Sequence, residues 1–160
     1  MRKKKLQLRL KLLYSLEFFN AFFLPFVFVT YCYVHDQGVG LNSIMAMALN
    51  GVILMEGSFL WFAISRQITN SKTDNFFTPF RNLKKGNLIL IALTIVAMLT
   101  HPFSSSFDRV GAIVFFSLAV LEHINYFEYQ LMYDNKNDLA YLSRFGIKKS
   151  KLKTLLTRNK

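Results

Sequence analysis

A ten-residue segment in the last third of the sequence holds an unusual density of side chains that could do chemistry. Residues 121–130, LEHINYFEYQ, contain two carboxylates, one imidazole, two amides and two phenols. The candidate residues of this segment are Glu122, His123, Asn125 and Glu128. Carboxylate and imidazole groups bind protons and cations and act as general acids and bases, so the segment is the first candidate for a functional site.

Two further polar residues, Glu56 and Asn50, lie in another apolar stretch of the sequence. If both stretches cross a bilayer as helices, Glu56 lies roughly 20 Å and Glu122 roughly 16 to 18 Å from the outer edge, at 1.5 Å per residue. No lysine or arginine of the sequence falls at that depth. We therefore expect at least one of the two carboxyls to be neutral at pH 7, unless a cation or His123 compensates its charge.

Three interpretations of these polar residues remain open. They can be structural, as carboxyl, amide and phenol groups that hydrogen-bond one helix to another inside a bundle. They can form a proton- or cation-coupled site, or a polar cavity for a small ligand. They can also be catalytic, with Glu122, His123 and Glu128 as acid–base groups near the cytoplasmic leaflet of a membrane.

Familiar enzyme and metal motifs are missing from the sequence. A di-iron carboxylate bundle requires repeated Glu-x-x-His motifs, whereas Glu122 and His123 are adjacent and occur once. His-Glu-x-x-His, the P-loop and the Gly-x-Ser-x-Gly elbow do not occur. The single cysteine, Cys32, excludes a disulfide scaffold and a four-cysteine zinc site. We accordingly expect no catalytic residues, no metal and no cofactor.

Four apolar runs provide the elements that must position these side chains. A membrane-spanning helix needs about 20 predominantly apolar residues, and 52% of the 160 residues are hydrophobic. Four such runs leave too little amphipathic helix to shield them from water in a soluble protein. The sequence thus predicts an all-α integral membrane protein, a four-transmembrane-helix bundle formed by residues 1–133, with a basic tail at 134–160. The predicted spans are residues 16–34, 43–65, 87–103 and 110–132.

The basic residues predict the orientation of the bundle. The formal net charge is +11, and 19 of the 20 lysines and arginines lie before the first span, between the second and third, or after the fourth. Only Arg109 lies on the other side. The positive-inside rule then places both termini in the cytoplasm. Because these charges flank spans, they favour binding to anionic lipid headgroups and argue against binding to nucleic acid.

Amphipathic patterns are expected on the cytoplasmic side. Leu6, Leu10 and Leu13 predict a helical extension of the first span, and Glu17 is expected to reach back to the basic residues there as an ion pair. In the loop between the second and third spans, Phe76, Phe77 and Phe80 suit a segment that lies in the membrane interface, with a plain connecting loop as the alternative.

The tail is expected to form two short amphipathic segments. A stripe of Leu139, Leu142 and Phe145 should end at Gly146. After it, Ser150 should cap a helix that carries Leu152, Leu155 and Leu156 on one face.

These features favour a non-enzymatic accessory or interaction subunit of a membrane complex, which binds a membrane-protein partner or forms a homo-oligomer. The alternative is a small oligomeric transporter or channel subunit that uses Glu56, Glu122 and His123 for proton or cation coupling. A lipid-handling enzyme is a third hypothesis. The lysine-, asparagine-, isoleucine- and phenylalanine-rich composition suggests a bacterial chain, and hence the plasma (inner) membrane.

Overall fold

Six helices make up the computed structural model, which describes residues 2–69, 78–131 and 136–158. Four of them, α1 to α4, are long and apolar enough to cross a membrane, which confirms the all-helical prediction. The helices are α1 (Arg2–Val34), α2 (Leu41–Thr69), α3 (Thr78–Thr100), α4 (Ser106–Phe127), α5 (Lys136–Phe145) and α6 (Lys151–Arg158).

Helix α2 is the centre of the bundle, since it packs along both α1 and α4, while α3 touches α2 and α4 over a smaller area. One face of α2 carries small and polar side chains and is buried: Ser43, Ala46, Asn50 and Gly57 all lie inside the bundle. Small side chains let neighbouring helices approach closely, which explains why α2 rather than a bulkier helix is central.

Two apolar clusters hold the bundle together at its two ends. The cluster at the basic end brings together all four long helices and α6, through Leu10, Ile64, Phe80, Phe127 and Leu152. The cluster at the opposite end joins α2 and α4 through Ala46, Met47, Ala112 and Phe115, with Phe28 of α1 packed against it. The polar residues discussed below lie between these clusters or close to them.

Two helix boundaries differ from the predicted spans. Helix α3 begins at Thr78 rather than near residue 87, because the charged stretch before Asn87 is helical as well. Within that stretch Phe80 is buried and Arg81 is exposed, so the basic residues do not interrupt the inner face. Helix α4 ends at Phe127 rather than near residue 132, because the chain turns there and Tyr129 pairs with Lys149 in a short antiparallel bridge.

The tail forms the two predicted helical segments. Helix α5 ends before Gly146, whose φ of 77° lies in the left-handed region that favours glycine. Ser150 caps α6, since its side-chain oxygen accepts a hydrogen bond from the backbone N–H of Lys153 at 3.1 Å. Leu152 is completely buried in the cluster at the basic end, so α6 closes this end of the bundle.

The prediction of an interfacial loop is wrong for Phe80 and untested for its neighbours. Phe80 lies in α3 with 1% of its surface exposed, stacked against Phe59 of α2 at a ring distance of 5.9 Å. It is buried because the first turn of α3 faces α2 rather than lying flat on a surface. Phe76 and Phe77 lie outside the described residues.

Candidate functional site

The carboxyl group of Glu17 lies in the interior of the bundle, between α1, α2 and α4. Its Oε1 accepts a hydrogen bond of 2.7 Å from the indole N–H of Trp61. The expectation that Glu17 reaches back to the basic residues is therefore wrong. The residue is partly buried and its helix is turned so that Glu17 faces α2, the same side as the buried Ala21.

Gly57 of α2 creates the space into which Glu17 and Tyr126 of α4 project. A Cβ atom at position 57 would collide with Glu17 Oε2 and with the ring and hydroxyl of Tyr126. Tyr126 is almost fully buried. Three helices therefore meet at Gly57 with a carboxyl group and a phenol facing each other.

Glu122 completes this arrangement one turn before Tyr126. Its side chain lies near those of Glu17 and Tyr126. Its Oε2 accepts a hydrogen bond of 3.2 Å from the side-chain amide of Asn125. We refer to Glu17, Trp61, Glu122 and Tyr126 as the carboxyl–tyrosine cluster.

Two oxygen atoms of the carboxyl–tyrosine cluster remain without a hydrogen bond of good geometry among the described residues. They are Oε2 of Glu17 and the hydroxyl of Tyr126, and both are inaccessible to solvent. A buried polar atom without a partner is costly, by about 1–3 kcal/mol. A proton shared by Glu17 and Tyr126 is one way to satisfy both atoms, so the cluster can hold a proton in the interior.

Glu56 belongs to a separate contact between α2 and α3. Its Oε2 accepts a hydrogen bond of 2.6 Å from the side-chain amide of Asn87, which is 1% exposed. The structure thus brings Glu122 near Glu17 and pairs Glu56 with an amide on α3. Glu56 lies at the interface through which α3 joins the bundle, and this contact suits interhelical adhesion.

Asn50 and His123 are buried without good partners among the described residues. Both side-chain polar atoms of Asn50 are unpaired, and so is Nδ1 of His123. The His123 ring lies 4.9 Å from the ring of Phe127 on its own helix. His123 is not a member of the carboxyl–tyrosine cluster, and among the described residues no carboxylate is hydrogen-bonded to its Nδ1.

Asn125 and Glu128 hold the chain where α4 ends. Asn125 Oδ1 accepts a hydrogen bond of 2.8 Å from the backbone N–H of Leu131. Glu128 is bridged by two ammonium groups, Lys84 of α3 and Lys153 of α6. The Lys153 and Lys84 ammonium groups hold the pKa of Glu128 below its usual range, so it is ionised at neutral pH. Both residues therefore fasten segments of the chain.

Asp108, at the opposite end of the bundle, is a polar residue that the sequence did not single out. It is fully buried, and its carboxylate accepts hydrogen bonds from the backbone N–H and hydroxyl of Ser43, at 3.0 and 2.7 Å. The backbone N–H of Ser104 donates a third, at 2.9 Å. Asp108 of α4 thus caps the first turn of α2, and Gly40 leaves room for it.

The described residues do not bring three histidine, cysteine, aspartate or glutamate side chains together in a way that could hold a metal ion. Of the residues predicted for a site, only Glu122 joins the carboxyl–tyrosine cluster. Glu17 and Trp61 could have been found from sequence, since Glu17 shares a helix face with Ala21 and Trp61 shares one with Gly57. The sequence does not show how α1 and α2 are rotated about their axes, and this rotation turns the two faces toward each other.

Comparison with protein-family models, with curated proteins and with solved structures finds no match to this chain. The chemistry and geometry of its own residues are therefore the only guide to its function.

Proposed function

We propose that this chain is a non-enzymatic accessory subunit of a membrane complex, and that it binds its partner through one face of α1. The observation that carries the proposal is an exposed phenylalanine face on this helix. Its members, which we call the phenylalanine face, are Phe19, Phe22, Phe23 and Phe26, each 43–66% exposed.

Helix α1 contributes little to the interior of the bundle. Only 6% of its apolar stretch is buried, compared with 56% for α2. Two of its phenylalanines, Phe19 and Phe23, stack on each other with their ring centroids 4.8 Å apart. The rings are thus arranged in an ordered surface that has no partner among the described residues.

The outward face of α3 provides an internal comparison. It is also exposed, but its large side chains are aliphatic: Leu88, Ile89, Leu93, Val96 and Leu99. An aliphatic face is what lipid tails require, whereas aromatic residues are enriched where proteins contact other proteins. The contrast between the two faces favours α1 as the side that binds another membrane protein.

The polar interior of the bundle supports the same proposal. Glu122 accepts a hydrogen bond from Asn125 of its own helix. Glu56 accepts one from Asn87 of α3 and Glu17 accepts one from Trp61 of α2, so these two bonds join different helices. These bonds are what interhelical adhesion requires.

Photo-crosslinking in intact membranes tests the proposal. A benzoylphenylalanine placed at Phe22 should give a protein adduct, and the same probe at Leu93 of α3 should give little, since both positions are similarly exposed. An adduct of twice the chain's mass identifies a second copy, and another mass identifies a different membrane protein. Equal adducts at the two positions, or adducts with lipid alone, would contradict the proposal.

One observation favours proton- or cation-coupled transport as the alternative. Oε2 of Glu17 and the Tyr126 hydroxyl face each other at Gly57, buried and without a good hydrogen bond among the described residues. Infrared difference spectra of the wild type and Glu17→Gln across pH test it. A carboxyl band that titrates between about pH 5 and 8 and shifts with added cation supports transport. A band that stays constant supports a structural carboxyl.

A further inference from the structure

A groove runs between α1 and α2 toward the basic end of the bundle. It has two parts that share the side chains of Tyr14 and Phe62. The part at the basic end has a volume of about 590 Å³, and the part farther into the bundle has a volume of about 470 Å³. Each is within the range of about 300–1,000 Å³ that small-molecule sites occupy.

The part at the basic end is positively charged. Lys4, Lys11 and Arg66 line it, and all three side chains are exposed. No aspartate or glutamate is among its lining residues. The Arg66 guanidinium lies over the ring of Phe62, 5.3 Å from its centroid, which holds this charge at the rim.

The inner part of the groove is apolar. Phe18 lines it on the α1 side, and Met55 and Phe59 line it on the α2 side. Three hydroxyl-bearing residues, Tyr14, Ser15 and Ser58, complete the lining, and the Ser58 hydroxyl donates to the backbone carbonyl of Tyr14 at 2.8 Å. The surface presented here therefore suits a hydrocarbon chain.

The boundary between the two parts coincides with the depth at which a membrane surface would fall. The 33 residues of α1 extend for about 50 Å, and the hydrocarbon core of a bilayer is about 30 Å thick. Counting from Val34, about 20 residues reach Tyr14. Tyr14 and Phe62 pack edge to face at 5.7 Å, and aromatic residues are enriched at this level of a membrane.

We propose that this groove is a binding site for an anionic glycerophospholipid. The phosphate of the headgroup lies among Lys4, Lys11 and Arg66, and one acyl chain lies along Phe18 and Phe59. Charge complementarity selects the headgroup, and the apolar inner part selects a lipid over a free anion. The groove adjoins the phenylalanine face, since Phe18 packs edge to face with Phe22 at 5.4 Å. Its lining contains none of the four members of that face, so the proposal does not rest on the partner proposed above.

Native mass spectrometry of the full chain in detergent tests the proposal. The probes are phosphatidylglycerol and phosphatidylcholine with identical acyl chains. We expect the wild type to retain phosphatidylglycerol in preference to phosphatidylcholine. The double variant K11Q/R66Q should lose roughly tenfold or more of its phosphatidylglycerol occupancy, because it lacks two of the positive side chains that attract the headgroup.

Two matched controls distinguish lipid binding in the groove from the attraction of lipid to any basic or apolar part of the surface. The double variant R81Q/K85Q removes the same charge from exposed positions of α3 outside the groove and should retain the lipid. Met55→Trp fills the inner part and should lower lipid occupancy, whereas Ile95→Trp at a similarly exposed position of α3 should not.

Three results would overturn the proposal. If the wild type and K11Q/R66Q both retain the two lipids equally, the groove does not distinguish an anionic headgroup from a zwitterionic one. An equal loss in R81Q/K85Q would show that only diffuse surface charge attracts the lipid. Displacement of phosphatidylglycerol by an equal concentration of glycerol phosphate would show that the groove binds a free anion and does not use the acyl chain.

Discussion

At the scale of single residues, Gly57 decides how closely α1 and α4 approach α2. A side chain at this position has no room, because Glu17 and Tyr126 already fill the space beside its Cα. Tyr126 is 2% exposed and belongs to the core at the basic end, so its ring cannot move aside without disturbing that core. The absence of a Cβ is thus what allows a carboxyl and a phenol to share the interior.

Gly57→Ala should therefore destabilise the protein. Insertion of a methyl group into a packed core typically costs about 1–3 kcal/mol, and here it also displaces two polar groups. We expect a clearly lower thermal unfolding temperature in detergent, together with a changed environment of Trp61, which donates to Glu17. Trp61 is the single tryptophan of the chain, so its fluorescence reports on this region alone.

Gly86 in α3 is the matched control for this substitution. A Cβ at Gly86 would have nothing within 4 Å, and the residue lies inside a helix. Gly86→Ala should stabilise the protein by about 0.5–1 kcal/mol, because alanine loses less conformational freedom on forming a helix. If both alanine variants shift the unfolding temperature in the same direction, the role assigned to Gly57 is wrong.

At the scale of elements, α6 is fastened to the bundle by three different kinds of contact. Leu152 is buried in the core at the basic end. The backbone N–H of Ser150 donates to the carbonyl of Glu128 at 3.0 Å, and that of Gln130 donates to the carbonyl of Lys148 at 2.8 Å. The carboxylate of Glu128 adds an ion pair with Lys153, and it simultaneously ties the site to α3 through Lys84.

Glu128→Gln should loosen α6 at neutral pH. The substitution leaves two ammonium groups without their shared carboxylate, while the backbone bonds and Leu152 remain. We expect faster hydrogen exchange of the amides of residues 148–154 and little change in α1 or α2. Lys149→Gln is the control, because Lys149 is exposed and its side chain does not contact Glu128. The amides of residues 148–154 should exchange in this variant at the rates of the wild type.

The ion pairs of Glu128 should stabilise the docked α6 at neutral pH, and this stabilisation should be lost in acid. Lys153 and Lys84 lower the pKa of Glu128 from its ordinary value of 4.5, so the ion pair stabilises the docked α6 fully above that value. Its contribution is lost as the pH falls through the lowered pKa, because the carboxyl is then protonated in both states. At pH values low enough to protonate Glu128 in the folded protein, wild type and Glu128→Gln should consequently exchange alike, after correction for intrinsic rates. A difference that persists there would mean that the charge of Glu128 does not fasten α6.

At the scale of the whole molecule, local patterns were sufficient for the helices and their inner faces. The apolar runs predicted four long helices, which the structure contains. Side chains that recur with the helical period are buried together: Ser43, Ala46 and Asn50 on α2, and Gly111, Phe115, Ala119 and Tyr126 on α4. Such faces follow from the helical period alone.

The features that were missed depend on contacts between segments far apart in the sequence. Helix α4 ends early because Tyr129 pairs with Lys149. Glu17 turns inward because Trp61 and Gly57 of another helix receive it. Asp108 was not singled out because it lies before the predicted fourth span, although its carboxylate caps the first turn of α2. Hydropathy and periodicity describe one segment at a time and cannot report these partners.

The cap that Asp108 supplies to α2 also bears on how the protein is made. Ser43 and Asp108 are separated by 65 positions, so a ribosome has completed α2 and all of α3 before the residue that caps α2 has been synthesised. Until α4 has been synthesised and packs on α2, the backbone N–H groups in the first turn of α2 lack this carboxylate as a hydrogen-bond acceptor. An α1–α2 hairpin released early, by truncation or by stalled translation, thus lacks the carboxylate that caps the first turn of α2.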